Sequence, residues 1–342
     1  MEGLRMGKIT AKDIAKAANV SLSTVDRVLN NRGGVAEAKE RRVVEWARKL
    51  KIDRALNQRA ARTLRIAVLL QRPENPFHAA VQTNFEAAMR DFPQFNLQFR
   101  IHHIEPAKPG ATAGLIRSLL KMCDGIVIVS AADDDIGAAL REFGRQGKPV
   151  ITLVTDIASS ERFAYVGPDN FKAGRIAGDM MGRLLGKGGG DVLVISGMLS
   201  MMGHEERESG FRAVLNERYS DCRITDVLES LERAERAGDL VFSALKRNCA
   251  IRGIYNASAG ASSVVNAVES LGRAGEIVFI THELTDDRRY LLRKGLIDVI
   301  IDQGPAFEVR TAIEALAAFF GRKEDPPASL MTPIHIHTIE NC

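Results

Sequence analysis

The 342-residue sequence has one tryptophan, four cysteines and no apolar run long enough to cross a bilayer as a helix. The cysteines, Cys123, Cys222, Cys249 and Cys342, are scattered, with no C-x-x-C pair and no histidine at ligand spacing. Reduced thiols are therefore expected rather than disulfides or zinc. The opening stretch, MEGLRMGKITAKDIAKAA, lacks the apolar centre and cleavage site of a secretory signal, so a cytoplasmic protein is expected. No G-x-G-x-x-G follows the first candidate strand, and no Ser, His and Asp set has a motif behind it. No cofactor and no metal are expected.

What remains is an ordinary globular composition, 45% hydrophobic and 26% charged, on a chain long enough for two or three domains. The net charge of +4 is unevenly spread. Residues 1–65 carry 16 Lys and Arg against 7 Asp and Glu, a net of +9, and the remainder is net −5. A concentrated basic head suits a polyanion; the body does not.

Within the head, Thr10 and Asp13 have capping-box spacing, and Ile14, Ala17 and Ala18 form an apolar stripe, predicting a helix over about 11–18. Asn19-Val20 makes a turn, Ser21 is a good N-cap, and Val25, Val28 and Leu29 share one face of a second helix. Two short helices joined so tightly pack steeply and leave the second free to enter a major groove. After the break at Asn30-Asn31-Arg32-Gly33-Gly34, a third helix begins near Ala36, with Val43, Val44, Trp46, Ala47 and Leu50 as its buried face.

The segment AKDIAKAANVSLSTVDRVLNN resembles the DNA-binding head of the lactose-repressor (LacI/GalR) family, D-V-A-x-x-A-G-V-S-x-x-T-V-S-R-V-L-N. Asn19 replaces the usual turn glycine, and Asn also accepts left-handed geometry. The resemblance implies that Leu22, Ser23 and Arg27 face base edges and that Ser21 and Thr24 touch phosphates. Asn30, Arg59 and Arg62 join the expected DNA-binding set. Leu22 suits a thymine methyl, and Arg27 suits guanine. Asp26 stands where the family has Ser; it either meets a cytosine amine or pairs with a neighbouring side chain. The family's hinge pattern, Y-x-P-N-x-x-A-R-x-L, is followed poorly: no Pro is present, Thr63 falls at the minor-groove wedge position, and Leu64 runs into the first strand of the body. A basic helical linker through Arg54, Arg59 and Arg62 is expected.

From Leu64 onward, short apolar runs (RIAVLL, LQFRIHHI, GIVIVS, PVITLVT, then DVLVISG, CRITDVLES, RGIYNAS, EIVFITH) alternate with amphipathic stretches. That alternation predicts α/β architecture: an all-α helix-turn-helix head followed by two doubly wound parallel α/β lobes. The order of elements resembles the periplasmic-binding-protein-like (type I) effector domain of the same family. The expected boundaries are 8–52 for the head, 53–64 for the linker and 65–342 for the effector domain. Its N-lobe is placed at about 65–166 plus 303–324, and its C-lobe at about 167–302 plus 325–342.

Such lobes bind ligands at the carboxyl ends of their strands. The candidates there are Asn75, Phe77, Asp156, Arg207, Asn256, His282 and Gln303, with Tyr255 a further ring for a sugar face. Amide, carboxylate and guanidinium groups suit an uncharged sugar or polyol. Arg207 and Gln303, on different lobes, are expected to close on it, and Asp169-Asn170 is assigned to the crossing segment rather than the site. A sugar- or nucleotide-using α/β enzyme is the competing reading, since Gly186-Lys187-Gly188-Gly189-Gly190 looks like a phosphate loop; but it precedes a strand instead of following one. The favoured reading is a homodimeric transcriptional repressor binding operator DNA and a small effector, with no catalytic residues.

Overall fold

The computed structural model describes residues 10–30, 32, 34–50 and 62–342. The linker at 51–61, with Arg54 and Arg59, lies outside them. The chain divides into two units, at Met1–Thr63 and Leu64–Cys342.

In the head, α1 (Ala11–Ala17) opens with the Thr10 amide and hydroxyl both donating to Asp13 Oδ2, at 2.7 and 2.8 Å. The turn places Asn19 at φ 51°, and Ser21 Oγ accepts the Thr24 amide at 3.1 Å to cap α2 (Leu22–Leu29). Helix α3 (Glu37–Lys49) closes a core of Ile14, Ala18, Val25, Val28, Val43 and Ala47, with Trp46 half-buried against it.

The body holds two sheets. The first comprises β1 (Leu64–Leu70), β2 (Leu97–His103), β3 (Gly125–Ile128), β4 (Val150–Leu153) and β5 (Ala164–Val166), all parallel, in the order 2-1-3-4-5. The second repeats that order with β6 (Gly190–Ser196), β7 (Cys222–Glu229), β8 (Ile251–Asn256), β9 (Val278–His282) and β10 (Val299–Asp302). A short strand, β11 (His335–His337), adds antiparallel to β10, a departure from the expected all-parallel sheet. Neither three-residue strand, β5 or β11, is long enough to carry a periodic signal.

Helices cover both faces of each sheet. On β1, Ile66, Val68 and Leu70 enter one core and Ala67 and Leu69 the other; on β6, Leu193 and Ile195 oppose Val192 and Val194. Burial on both faces explains why these strands read as continuous apolar runs. Each fully buried large side chain contributes roughly 1.5–3 kcal/mol.

The first lobe contains α4 (Pro76–Asp91), α5 (Pro109–Leu119) and α6 (Asp134–Arg145). The second contains α7 (Asn170–Leu185), α8 (Met202–Arg218), α9 (Ala234–Arg247), α10 (Ala261–Ser270) and α11 (Asp286–Arg293). Leaving β10, the chain returns to the first lobe, where Val309, Ile313 and Leu316 of α12 (Pro305–Phe319) enter its core. The glycine run is a turn between α7 and β6: Gly189 has φ 51°, and the Asp221 carbonyl stands where its Cβ would be.

Candidate DNA-reading head and effector cleft

On α2, Leu22 is 44% exposed, Ser21, Ser23, Arg27 and Asn30 are also exposed, and Thr24 is half-buried. Ser23 and Arg27 project from the helix face opposite Val25 and Val28, and Ser21 and Asn30 cap its two ends. Asp26 does not stand alone: it accepts from Asn30 Nδ2 at 2.6 Å and pairs with Arg32 at 2.8 Å. Its charge is answered within the head, which favours the side-chain pairing of the two readings above. The Arg27 guanidinium lies against the Gly34 backbone.

In the body, the two lobes touch directly. The Gly203 amide donates to Thr155 Oγ1 at 3.0 Å, the Ala132 amide to the Ser200 carbonyl at 3.1 Å, and Asn75 Nδ2 to Glu232 Oε2 at 3.2 Å. They enclose a cavity of about 30 Å³ bordered by Phe77, His78, Met201, His204, Arg207 and Glu283. Outside it opens a mouth of about 560 Å³, to which both lobes contribute. Only the mouth falls in the usual ligand-pocket range of roughly 300–1,000 Å³, so a bound sugar in the inner cavity requires the lobes to part.

Arg207, on the second turn of α8, is 2% exposed. Its Nε donates to Asn170 Oδ1 at 2.8 Å, Nη2 to Gln303 Oε1 at 2.8 Å and Nη1 to the Ala257 carbonyl at 3.3 Å. Asn170 in turn donates to the Val154 carbonyl and to Tyr165 Oη, at 3.0 and 3.2 Å, both in the first lobe. Two glycines set this position. A Cβ on Gly174 would overlap the Arg207 carbonyl, and one on Gly210 would overlap the Phe171 carbonyl, so α7 and α8 pack backbone to backbone.

Burial pushes the Glu232 carboxyl up to about 7, with repulsion from Glu283 adding to it. Burial lowers His204 to about 4, reinforced by Arg207, and His78 to about 3. Glu308 is raised well above the ordinary carboxyl range by burial, and neither of its oxygens has a hydrogen-bond partner among the described residues.

Residues 66–324 match the periplasmic binding protein domain, and residues 10–51 match bacterial regulatory proteins of the lacI family. The chain belongs to the periplasmic binding protein domain family and carries a lacI-family regulatory head. It is a DNA-binding regulator of the lacI type. It is similar to the HTH-type transcriptional regulator DegA of Bacillus subtilis (26% identity, 68% of this chain and 70% of that protein). It is also similar to the maltose regulon regulatory protein MalI of Escherichia coli (26%, 79% and 78%). Among solved structures, a solute binding protein from Burkholderia graminis in complex with D-arabinose superposes with TM-score 0.75 at 21% identity, covering 83% of this chain and 98% of that one. At that identity the likeness concerns the fold.

The regulator brings four of the seven expected cleft residues together: Asn75 and Phe77 at the cavity, and Arg207 bonded to Gln303. That bond is a correction, since Gln303 leaves β10 of the same lobe that carries Arg207; the two are one network rather than opposing jaws. The other three brace local structure. Asp156 accepts from Thr152 and from the Ile157 amide, both at 2.8 Å, and pairs with Arg162. Asn256 accepts the Ser258 amide at 3.1 Å and donates to the Ala259 carbonyl. His282 bonds Tyr255 Oη at 2.7 Å, and Tyr255 stacks on Phe211 at 4.4 Å, wholly buried and unable to cover a sugar.

Asn170, assigned from the sequence to the crossing segment, joins the candidate cleft network through its bond to Arg207. Sequence reading also missed Thr155, His204, Glu232 and Glu283. Glu232 and Glu283 follow the ends of β7 and β9, where the strand-end rule would have found them. Both adopt positive φ, 58° and 66°, uncommon for Glu and a mark of tertiary constraint.

Proposed function

We propose that the regulator is a homodimeric, cytoplasmic repressor that binds an imperfect palindrome with paired heads and senses a sugar or polyol in the cleft by binding rather than catalysis. The observation that carries this reading is the pairing of an exposed, N-capped recognition helix with a two-lobed body whose lobes meet through Asn75, Thr155 and Glu232. One head buries little DNA surface, so two half-sites are the economical arrangement. No described helix is long and apolar enough to cross a membrane. The ribose import binding protein RbsB of Escherichia coli, 26% identical over 43% of this chain, points to the same effector class.

An effector that prefers one lobe arrangement shifts the population toward it and so changes head spacing. The test is binding of the full-length protein to fragments from its own upstream region, across a salt series and a panel of sugars and polyols. Salt-sensitive, sequence-specific binding altered by one compound supports the reading. Absence of specific binding in every condition overturns it and reopens a solute-binding or enzymatic role for the body.

A further inference from the structure

Two polar residues flanking the chain crossing between β10 and α12 each keep a buried group without a partner. Glu308 is fully buried with neither carboxyl oxygen hydrogen-bonded, and Gln303 Nε2 is likewise without a partner among the described residues. The Gln303 amide is oriented by chemistry. Arg207 Nη2 can only donate, so the atom facing it at 2.8 Å is Oε1, and Nε2 is left as a donor. Glu308 offers an acceptor oxygen whether or not its carboxyl is protonated. A buried polar group left unsatisfied costs about 1–3 kcal/mol, and two of complementary chemistry beside one crossing call for an account.

The crossing sets how the two residues relate. Gln303 follows β10 and is held by Arg207, so it belongs to the second lobe; Glu308 lies on α12, whose Val309, Ile313 and Leu316 enter the first-lobe core. Between them Gly304, at φ 67°, is the N-cap of α12, and its carbonyl accepts the Glu308 amide at 3.1 Å. Gln303 immediately precedes that cap and Glu308 is the fourth helical residue, the two positions whose side chains ordinarily meet across the first turn of a helix. Rotation at Gly304, or any movement of one lobe against the other, changes the distance between them. A third group without a partner, Thr332 Oγ1, lies where the Thr332 amide donates to the Gly167 carbonyl at 2.9 Å, tying two further crossing segments together. With the lobes in contact through Thr155 and Gly203 and through Ala132 and Ser200, the Gln303–Glu308 pair is not made.

We propose that Gln303 Nε2 donates to the Glu308 carboxyl when the lobes part, so that this pair is a built-in bias toward the open body. In the touching arrangement both groups stay unsatisfied, which weakens the contact between the lobes. The device belongs to the body itself and operates without a ligand; it sets the lobe equilibrium on which any effector acts.

The test is hydrogen exchange of the full-length protein without ligand, read at the Gly203 and Ala132 amides, which bond across the lobes, against strand amides of β3 and β6 within each lobe. Parent protein, Glu308→Met and Glu308→Gln are compared: Met removes the acceptor at similar length, and Gln keeps it. The expected result is that Glu308→Met raises protection of the two interlobe amides by roughly three- to tenfold beyond any change in the strand amides, because parting no longer gains the bond, while Glu308→Gln stays parental. Unchanged or lowered interlobe protection in Glu308→Met overturns the proposal, as does a Glu308→Gln variant that matches Glu308→Met. Glu308→Leu is read in the same way should Glu308→Met not fold.

Discussion

The guanidinium of Arg207 donates to Gln303 Oε1 at 2.8 Å, and through Asn170 the same side chain is tied to the first lobe. Arg207→Ala leaves three buried acceptors, on Asn170, Gln303 and Ala257, without the donors they have now, at a cost of about 1–3 kcal/mol each. Chemical denaturation of the body should show a loss of several kcal/mol, with effector response abolished. Arg207→Lys cannot reproduce the forked contacts and should recover little of either. Parental stability in Arg207→Ala would contradict a stabilising role for this network.

Gly174 lies mid-helix, where replacing Gly by Ala ordinarily gains about 1 kcal/mol. Here the Arg207 carbonyl occupies the space of the new methyl, and overpacking of this kind costs about 1–3 kcal/mol. The clash should win, so Gly174→Ala is expected to lower the unfolding midpoint of the body and weaken effector binding together. A higher midpoint would mean that α7 and α8 separate easily.

Asp26 answers Asn30 and Arg32 on the surface of the head. Asp26→Ala adds one net positive charge and frees both side chains to meet phosphate. Non-specific DNA affinity should rise, with the slope of log affinity against log salt steepening by about one unit. Fluorescence anisotropy on operator and random duplexes reads both quantities. Arg27→Ala should act oppositely on the operator alone, with body unfolding unchanged.

Glu232 has a carboxyl raised to about 7 in the folded protein, against an ordinary value near 4.5. The folded state therefore holds a proton that the unfolded state has released. Its stabilisation by that proton is present below about pH 4.5 and lost as pH rises to about 7. His204 and His78, lowered to about 4 and 3, act in the opposite sense below their ordinary value, so the parent profile blends these effects. Subtracting the parent from Glu232→Gln isolates the carboxyl. The variant should gain relative stability from pH 4.5 to 7 and plateau above, by about 3 kcal/mol at most. A flat difference across that window would remove the titration from Glu232.

The head and the lobes were legible in the sequence because they depend on local signals. Ser21 caps α2 from three residues away, Asn19 takes the left-handed turn by itself, and strands such as RIAVLL read as buried on both faces from composition alone. Asn75 and Phe77 could be named as candidates for a similar reason: they open the helix that follows β1, whose end was easy to place.

Tertiary structure decided the remainder of the cleft. Asn256 and Asp156 follow strand ends, as expected of ligand contacts, yet Asn256 bonds Ser258 and Ala259 while Asp156 bonds Thr152, the Ile157 amide and Arg162, which is visible only once partner atoms are placed. Asn170 and Arg207, 37 positions apart, meet because glycines let two helices touch along their backbones. Glu232 reaches Asn75 across 157 positions, in a contact created by lobe packing. Periodicity and caps report what a residue does within about one helical turn of itself, so the sequence determined the elements and their order. Which polar groups face one another across the cleft depends on how those elements pack, and only the folded chain decides it.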